Sequence, residues 1–331
     1  MKVALFSTKK YDQEFFENAN KKGKHQLCYF ETYLSKDTVS LTKDFDAVCV
    51  FVNDLIDEET IIKLAENGVK LIALRCAGFN NVAVKIALEN GIKIVRVPAY
   101  SPQAVAEHAV ALILTLNRKT HKAYNRVREN NFSLENLIGF NLFGKTIGVV
   151  GTGVIGTAFC KIMLGFGCTV IAYDVFPSED LKKLGVSYKS FADLVSLSDI
   201  ISLHCPLNEE THHLMNASVF KSMKSKSMLI NTGRGALINT EAVIEALKTE
   251  QLGYLGIDVY EQEAALFFRD LSETINQDEL FMRLLSFPNV LITAHQGFFT
   301  KEALTEISNI TLQNLSDFED GKSLANEVKL A

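Results

Sequence analysis

The sequence predicts an α/β protein built from two doubly wound domains. Short apolar runs recur along the chain, and amphipathic stretches lie between them. This rhythm is typical of parallel strands joined by crossover helices. The chain has 331 residues, which is long for a single hydrophobic core, so two domains of ordinary size are expected.

The apolar runs fall into two series, one for each predicted sheet. The first series lies at residues 3–6, 27–30, 47–52, 71–74 and 92–97. The second series lies at residues 146–150, 169–173, 200–204, 228–231, 254–257 and 290–293. Each series has enough strands for one open parallel sheet with helices packed on its faces.

Two capped helices mark the connections between the predicted domains. Ser101 can cap the first amides of a helix and Pro102 suits its first position, so a helix is predicted from there to Arg118. Thr300 can cap a last helix that returns to the first domain and stops near Gly321. The predicted domains are therefore residues 1–100 with 299–331, and residues 101–298, with a ligand-binding cleft between them.

A glycine motif between a strand and a helix predicts a dinucleotide site. The first strand of the second series leads directly into the sequence GTGVIG at residues 151–156. In such a motif the first glycine permits a tight turn, the second lets the backbone approach a pyrophosphate, and the third allows close packing. The amides at the helix start then bind the phosphates. The predicted residues are Gly151, Gly153, Val154, Ile155 and Gly156.

Asp174 indicates which dinucleotide would bind. It ends the next strand, about twenty residues after the glycines, where a carboxylate can accept hydrogen bonds from both adenosine ribose hydroxyls. Its charge would repel a 2′-phosphate, and residues 175–177 supply no Lys or Arg to offset that repulsion. NAD is therefore the predicted cofactor. The alternative is a plain strand-to-helix turn in which Asp174 caps a loop.

Three residues far apart in the chain predict the reaction. Arg234 lies in the sequence NTGRG and offers a planar guanidinium that suits a carboxylate. His295 is a side chain whose proton moves near neutral pH, and Glu263 can stabilise its charged form. An anion clamp, an acid/base group and a carboxylate partner, together with a nicotinamide nucleotide, favour reversible reduction of a 2-oxo acid.

The residues alone leave alternatives open at these positions. Arg234 could form a structural ion pair, and His295 could cap a loop at the end of a strand. Glu261 competes with Glu263 for the imidazole. In an extended chain after Asp258, side chains alternate between two faces, and these two glutamates would lie on the same face. Spacing therefore does not decide between the two glutamates.

The other histidines and the cysteines carry no predicted chemistry. The six cysteines stand singly with no pair at metal spacing, so no metal site is predicted. His212 and His213 lack a partner pattern and are interpreted as surface or structural residues. Packing in a helix and a strand explains His108 and His204 equally well.

Several motifs in one order resemble a known family. The chain is similar over nearly its whole length to the D-isomer-specific 2-hydroxyacid dehydrogenases, most closely to the fermentative lactate branch. Besides the glycine loop, the matching motifs are RCAGFNN at 75–81, VPAYS at 97–101, AVAEH at 104–108, HCPL at 204–207, NTGRG at 231–235, DVYEQE at 258–263 and His295. The resemblance implies a flavodoxin-like substrate (catalytic) domain and a Rossmann NAD-binding domain.

The resemblance also implies a role for individual residues. Arg234 would bind the substrate carboxylate, His295 would be the general acid/base, and Glu263 would pair with its imidazole. Further substrate contacts would come from Ala77, Gly78, Tyr100 and Phe298. Further cofactor contacts would come from Cys205, Pro206, Thr211, Thr232, Gly233 and Asp258. Thr211 and Gly233 are departures, since relatives often have Asn at the first position and Ser or Ala at the second.

The activity implied by this resemblance is the NAD-dependent, reversible reduction of pyruvate to D-lactate in fermentation. A relative that acts on a larger 2-oxo acid, of the hydroxyisocaproate or phenyllactate type, is an alternative because the sequence does not reveal pocket volume. An NAD(H)-sensing binding protein similar to the corepressors of the same superfamily is a second alternative.

Composition narrows the range of partners. The net charge of −5 argues against nucleic acid as a partner. No apolar run reaches the length of a membrane span, and the first residues do not form a signal peptide. Unpaired cysteines suit a reducing, cytoplasmic location. The family resemblance implies a homo-oligomer, either a dimer or a tetramer, that forms through the cofactor domain.

Overall fold

The computed structural model describes residues 1–263 and 266–329. The strands are β1 (Lys2–Leu5), β2 (Gln26–Tyr29), β3 (Ala47–Val50), β4 (Leu71–Leu74), β5 (Lys93–Val95), β6 (Thr146–Val150), β7 (Thr169–Tyr173), β8 (Ser187–Tyr188), β9 (Ile200–Leu203), β10 (Ser227–Asn231), β11 (Leu252–Ile257) and β12 (Val290–Ile292). All the pairings between these strands are parallel.

Helices occupy most of the connections between strands. They are α1 (Lys10–Ala19), α2 (Glu58–Glu66), α3 (Val84–Glu89), α4 (Pro102–Arg118), α5 (Thr120–Arg128), α6 (Val154–Gly165), α7 (Glu179–Lys183), α8 (Phe191–Leu197), α9 (Ala217–Ser222), α10 (Thr240–Lys248), α11 (Glu279–Leu285) and α12 (Lys301–Glu319). No helix in the described part of the chain is both long and apolar enough to cross a lipid bilayer.

The chain folds into two compact units. Unit 1 consists of Met1–Ser101 and Phe299–Ala331, and unit 2 consists of Pro102–Phe298. Helix α4 begins at Pro102 and ends at Arg118, which confirms the predicted helix. The Thr300 hydroxyl accepts a hydrogen bond from the Ala303 amide at the start of α12, so the predicted cap is also confirmed.

Unit 1 contains a five-stranded sheet in the order β2-β1-β3-β4-β5. Every residue of β3 and β4 is buried, as expected for central strands covered on both faces. Leu312 and Leu315 of α12 lie in the same apolar cluster as Val3 and Leu5 of β1. The last helix therefore packs on the sheet of unit 1.

Unit 2 contains a seven-stranded sheet in the order β12-β11-β10-β9-β6-β7-β8. The chain runs outward from β6 in both directions, which is the doubly wound order of dinucleotide-binding folds with one added strand. Alternate residues of one strand enter different cores: Leu229 lies in one apolar cluster, while Met228 and Ile230 lie in the other. Each face of the sheet is therefore covered by its own helical layer.

One strand of this sheet was missed by the sequence prediction. Strand β8 has only two residues, one exposed and one half-buried, at the edge next to β7. Such a short edge strand lacks the apolar run on which the prediction depended, and its pairing with β7 decides its conformation instead.

A buried carboxylate organises the carboxyl edge of the sheet in unit 1. Asp54 is 1% exposed, and its Oδ1 accepts hydrogen bonds from the Ser7 hydroxyl at 2.8 Å and the Leu34 amide at 2.6 Å. Its Oδ2 accepts from the Phe51 amide at 2.5 Å. These bonds connect the loops after β1, β2 and β3, and each buried donor would lose this acceptor if the carboxylate were removed.

We predict that Asp54→Ala lowers the free energy of unfolding of unit 1 by about 2–5 kcal/mol, because it leaves buried donors unsatisfied. Urea denaturation measures the change. Asp57→Ala is the matched control, since it removes the cap of α2 and one hydrogen bond from the Thr60 hydroxyl, at a cost of about 1–2 kcal/mol. A loss for Asp54→Ala no larger than that of the control would contradict the assignment.

Candidate active site

The glycine loop after β6 is shaped by close packing. Gly151 has a φ of +90°, and a Cβ atom there would lie 2.6 Å from the Cys205 amide nitrogen. A Cβ atom on Gly156 would lie 2.0 Å from the Gly151 carbonyl oxygen. Both positions therefore require glycine for reasons internal to the protein.

Gly153 differs from its two neighbours in the motif. Its φ of −60° suits any residue, and a Cβ atom there would meet nothing within 4 Å. Nothing in the described protein demands glycine at this point. The open space lies at the start of α6, where the Thr157 amide donates the first helical hydrogen bond, to the Gly153 carbonyl at 2.8 Å. The earlier amides, including those of Val154 and Ile155, form the anion-binding end of the helix.

Asp174 lies at the end of β7, directly beside this loop. Its Oδ2 accepts hydrogen bonds from the Thr152 amide at 2.5 Å and the Thr152 hydroxyl at 3.0 Å, and its Oδ1 accepts from the Phe176 amide at 2.8 Å. Burial acts to raise the pKa of Asp174, but the hydrogen bonds from Phe176 and Thr152 outweigh it and lower the pKa. The carboxylate is therefore charged, and Oδ1 has acceptor capacity left for a ligand hydroxyl.

The segment after β9 lies against the glycine loop. Burial lowers the pKa of His204 to about 4, so its imidazole is neutral, and its Nε2 lies 2.9 Å from the Ser202 hydroxyl. Burial raises the pKa of the Cys205 thiol to about 11, which keeps it protonated. The Thr211 hydroxyl donates to the Pro206 carbonyl at 2.7 Å and so closes the loop on itself. Thr211 therefore shapes this loop.

The turn after β10 presents a buried hydroxyl without a partner. Thr232 is buried, and its Oγ1 has no hydrogen-bond partner within residues 1–263 and 266–329. Asn231 organises the turn, because its side chain accepts from the Gly233 amide at 3.0 Å and donates to the Arg234 carbonyl at 2.8 Å. Sequence reasoning did not single out Asn231. A Cβ atom on Gly233 would meet only ordinary contacts at 3.5 Å, so Ser or Ala would fit there.

Arg234 is half-buried in an extended conformation after this turn. Its Nη1 donates to the Gly233 carbonyl at 2.8 Å. No carboxylate in the described residues lies within ion-pair distance of the guanidinium, which argues against a structural ion pair. The next residue, Gly235, packs so closely on the Tyr260 backbone that a Cβ atom would lie 2.1 Å from the Tyr260 carbonyl carbon. The Arg234 loop is therefore held against the loop that carries Glu263.

His295 and Glu263 form a hydrogen-bonded pair. His295 Nδ1 lies 2.8 Å from Glu263 Oε1, and Glu263 Oε2 accepts from the Tyr260 amide at 2.9 Å. The imidazole lies between aromatic rings, with ring centroids 5.8 Å from Phe268 and 6.5 Å from Phe298. The His295 backbone has a φ of +51°, a conformation that non-glycine residues rarely adopt and that is often found at functional sites.

The structure shows which of the two glutamates, Glu261 or Glu263, contacts His295. Glu261 Oε1 lies 2.6 Å from His213 Nε2, and Glu261 Oε2 accepts from the Thr240 hydroxyl at 2.7 Å. The other nitrogen of His213 lies 3.3 Å from the Asn239 side-chain amide. Although ligand atoms of His212, His213 and Glu261 lie within 4.8 Å of one another, Glu261 is already engaged by protein donors. His213 and Glu261, together with Thr240 and Asn239, therefore form a hydrogen-bond network that joins neighbouring loops.

Asp258 is another predicted site residue, and it is buried. Its Oδ1 accepts from the Thr293 hydroxyl at 2.5 Å and the Gln296 amide at 2.9 Å, and its Oδ2 accepts from the Gly297 amide at 2.8 Å. His108 Nε2 lies 3.2 Å from Oδ1. The carboxylate is therefore occupied mainly by protein donors, and His108 was not predicted as one of them.

Three predicted substrate-binding residues lie in unit 1. The Ala77 carbonyl accepts from Arg96 Nη1 at 2.8 Å, and the Gly78 carbonyl accepts from the Cys76 thiol at 3.2 Å. Tyr100 is half-buried at the end of this unit. Phe298, the fourth, is buried in unit 2 near His295. In unit 2, Arg234, Glu263 and His295 follow the adjacent strands β10, β11 and β12.

Comparison with known proteins gives consistent results. Residues 110–297 match the family model for the D-isomer specific 2-hydroxyacid dehydrogenase, NAD binding domain. The chain is 54% identical over 321 residues to 2-hydroxyacid dehydrogenase A of Aspergillus oryzae, covering 96% of this chain and 92% of that one. It is 51% identical to the D-lactate dehydrogenase of Escherichia coli, covering 99% of this chain and 100% of that one. The solved structure of the pyruvate reductase of Chlamydomonas reinhardtii matches with a TM-score of 0.93 and 43% identity, covering 98% of each chain.

We predict that Gly153→Ala and Gly156→Ala fail in different ways. Gly153→Ala should unfold like the wild type but bind NADH at least about tenfold more weakly, since only a ligand needs that space. Gly156→Ala should lose about 2 kcal/mol or more of stability through its clash with the Gly151 carbonyl. Thermal unfolding and NADH fluorescence titration measure the two effects, and unchanged NADH binding by Gly153→Ala would contradict the assignment.

Proposed function

This chain belongs to the D-isomer-specific 2-hydroxyacid dehydrogenases, which makes it an NAD-dependent oxidoreductase, and we propose that it is a D-lactate dehydrogenase that reversibly reduces pyruvate. The observation that carries the proposal is the imidazole of His295. Its Nδ1 is held by Glu263 at 2.8 Å, and its Nε2 has no hydrogen-bond partner in the described part of the chain. An imidazole held on one side and open on the other suits proton transfer.

The Glu263 pair determines which nitrogen transfers the proton. A carboxylate only accepts hydrogen bonds, so Nδ1 of His295 carries a hydrogen, and Nε2 is the atom that gains and loses the catalytic proton. In the reducing direction, Nε2 donates this proton to the carbonyl oxygen of the 2-oxo acid. In the oxidising direction, Nε2 accepts the hydroxyl proton of the 2-hydroxy acid. Glu263 holds the imidazole in the same orientation in both directions.

Arg234 binds the carboxylate of the substrate in this proposal. Its guanidinium has no ion-pair partner in the described residues, so a substrate carboxylate would supply the missing countercharge. Phe298 would shape the pocket beside His295. The roles of Ala77, Gly78 and Tyr100 in substrate binding rest on the family resemblance alone.

The residues of unit 2 fit NAD. The buried Thr232 hydroxyl lacks a partner among the residues that the structure describes and can hydrogen-bond to a bound cofactor. The space in front of Gly153 leaves room for a pyrophosphate at the start of α6. Asp174 would accept the ribose hydroxyls and disfavour NADP. When bound, NADH supplies the hydride that adds to the carbonyl carbon. Cys205, Pro206 and Gly233 would line the same site, and Thr211 would hold its loop.

We predict that the purified protein oxidises NADH with pyruvate as substrate and forms D-lactate. Steady-state rates with pyruvate, 2-oxoisocaproate and phenylpyruvate, followed by chiral analysis of the products, measure both substrate range and stereochemistry.

We also predict that His295→Asn lowers turnover in the same assay by roughly a hundredfold or more, because it removes the proton donor.

Each alternative function corresponds to a distinct result of this assay. A higher kcat/KM with the larger 2-oxo acids than with pyruvate would show that the protein is a dehydrogenase of the hydroxyisocaproate or phenyllactate type and not a D-lactate dehydrogenase. Tight NADH binding without turnover of any 2-oxo acid would favour an NAD(H)-sensing protein. An L-configured product would contradict the proposal outright.

The assembly that we propose is a homo-oligomer formed through unit 2. Large apolar side chains are exposed on α5 and the segment after it, at Tyr124, Val127, Phe132, Leu134, Ile138 and Phe143. The segment is held against α5 and the residue before it. Arg126 Nη1 of α5 donates to the Glu135 carbonyl at 2.7 Å, and Lys119 Nζ donates to the Asn136 carbonyl at 2.8 Å. A fixed apolar surface of this kind suits burial against a second copy of the chain.

The location that we propose is the cytoplasm, and the physiological process is fermentation. All six cysteines are unpaired, at Cys28, Cys49, Cys76, Cys160, Cys168 and Cys205. Free thiols suit a reducing compartment. Reduction of pyruvate by NADH regenerates NAD, which fits a fermentative role.

We predict that replacing both Leu134 and Ile138 by Glu converts the oligomer into a smaller species, because the new charges would be buried at the interface. Analytical ultracentrifugation measures the change. Leu55→Glu, at an exposed leucine of unit 1, is the matched control and should leave the assembly intact. A double variant that sediments like the wild type would contradict this choice of surface.

A further inference from the structure

We propose that His108 is a positioning residue for the reaction, acting through Asp258 on the turn at residues 295–297 that carries His295. The proposal deepens the proposed function and rests on it, since it concerns the group that transfers the proton. His108 lies in the middle of α4, far from His295 in the chain. It reaches the turn because α4 packs on the sheet beside β11 and β12.

Asp258 fastens the turn through its carboxylate and its backbone. The carboxylate accepts the Gln296 and Gly297 amides at 2.9 and 2.8 Å, and the Asp258 carbonyl accepts the His295 amide at 2.7 Å. Three successive amides of the turn therefore donate to one residue. The arrangement fixes the backbone on which the imidazole is mounted.

His108 completes the set of donors to this carboxylate. Its Nε2 lies 3.2 Å from Asp258 Oδ1 and 3.0 Å from the Thr293 hydroxyl. The hydroxyl gives its single hydrogen to Asp258 Oδ1 at 2.5 Å, so it can only accept from the imidazole. Both neighbours of Nε2 are then acceptors, which assigns the hydrogen of His108 to Nε2.

The turn also packs directly on the His108 ring. A Cβ atom on Gly297 would lie 3.0 Å from Asp258 Oδ2 and 3.5 Å from His108 Cδ2, so the backbone of the turn has little room to shift. The φ of +51° at His295 makes this restraint important, because the residue adopts a conformation that the free chain disfavours. Loss of the His108 donor would leave the buried Asp258 carboxylate with one hydrogen bond fewer and the turn less firmly held.

The test compares two replacements at the same position. His108→Phe keeps the ring but removes the donor, whereas His108→Gln carries an amide donor to about the place of Nε2. We expect His108→Phe to lower kcat about 10- to 100-fold through misplacement of His295, with NADH affinity close to that of the wild type. The melting temperature should fall only slightly, because Asp258 keeps its donors from Thr293, Gln296 and Gly297. His108→Gln should restore most of the rate. His212→Phe, at an exposed histidine outside this network, is the matched control.

Two further readouts distinguish positioning from general stability. With NADH deuterated at the transferred position, His108→Phe should show a larger isotope effect on kcat than the wild type, because the chemical step becomes slower. The imidazole ¹⁵N signals of His295 should shift in His108→Phe and return in His108→Gln, and this measurement needs no turnover. Thr293→Val, which removes the bridging hydroxyl, should behave like His108→Phe even if the latter folds poorly.

The outcomes separate this proposal from the proposed function. Failure of the wild type to reduce any 2-oxo acid would overturn the function, while the nitrogen signals would still report on the turn. Wild-type kcat and isotope effect in both His108→Phe and Thr293→Val, with unshifted His295 signals, would overturn the positioning role. A loss of rate that His108→Gln does not restore would also contradict it, since the donor would then not be the cause.

Discussion

The candidate site depends on two backbone hydrogen bonds across the carboxyl edge of the unit 2 sheet. The Asp258 amide donates to the Asn231 carbonyl at 2.9 Å, and the His295 amide donates to the Asp258 carbonyl at 2.7 Å. They continue the ladder in which Asn231 pairs with Ile257, and Ile257 pairs with Ile292. Because the strands are parallel, three loops begin at the same level and place their side chains in one region. A shift of one residue in register would turn these groups to the opposite face.

The parts of the site that were predictable from sequence are those determined by local geometry. The strand, glycine loop and helix around Gly151 form a continuous segment, and the steric reasons for Gly151 and Gly156 can be inferred from their positions in it. The choice between Glu261 and Glu263 was not predictable from spacing and rested on the family resemblance, because the argument from side-chain alternation assumes an extended chain after Asp258. The chain instead turns, with the Glu263 amide donating to the Tyr260 carbonyl at 3.3 Å. His108 was missed for a related reason, since only the packing of α4 on the sheet shows its contact with Asp258.

The three glycines at positions 151, 153 and 156 are needed for two different reasons, one within the protein and one that involves a ligand. Gly151 and Gly156 are required by the protein's own backbone, which a side chain would strike. Gly153 meets no such obstacle, so its open space is meaningful only if another molecule approaches there. The Thr232 hydroxyl, which has no partner in the described part of the protein, has the same implication, because a buried donor is rarely left unsatisfied in a native protein. A steric opening and an unsatisfied polar group, on separate loops, both indicate a ligand.

The loop after β11 carries two glutamates that each contact a histidine, yet the two pairs differ in whether the histidine has a ring nitrogen left for substrate. Both His213 and His295 adopt a φ of +51°, and both contact a carboxylate oxygen at less than 3 Å. The His213 ring is engaged at both nitrogens, by Glu261 and Asn239, so it serves only to join loops. The His295 ring is engaged at Nδ1 alone within the described residues. Proton transfer requires one nitrogen held by the protein and the other left for substrate, and of these two pairs only the second provides it.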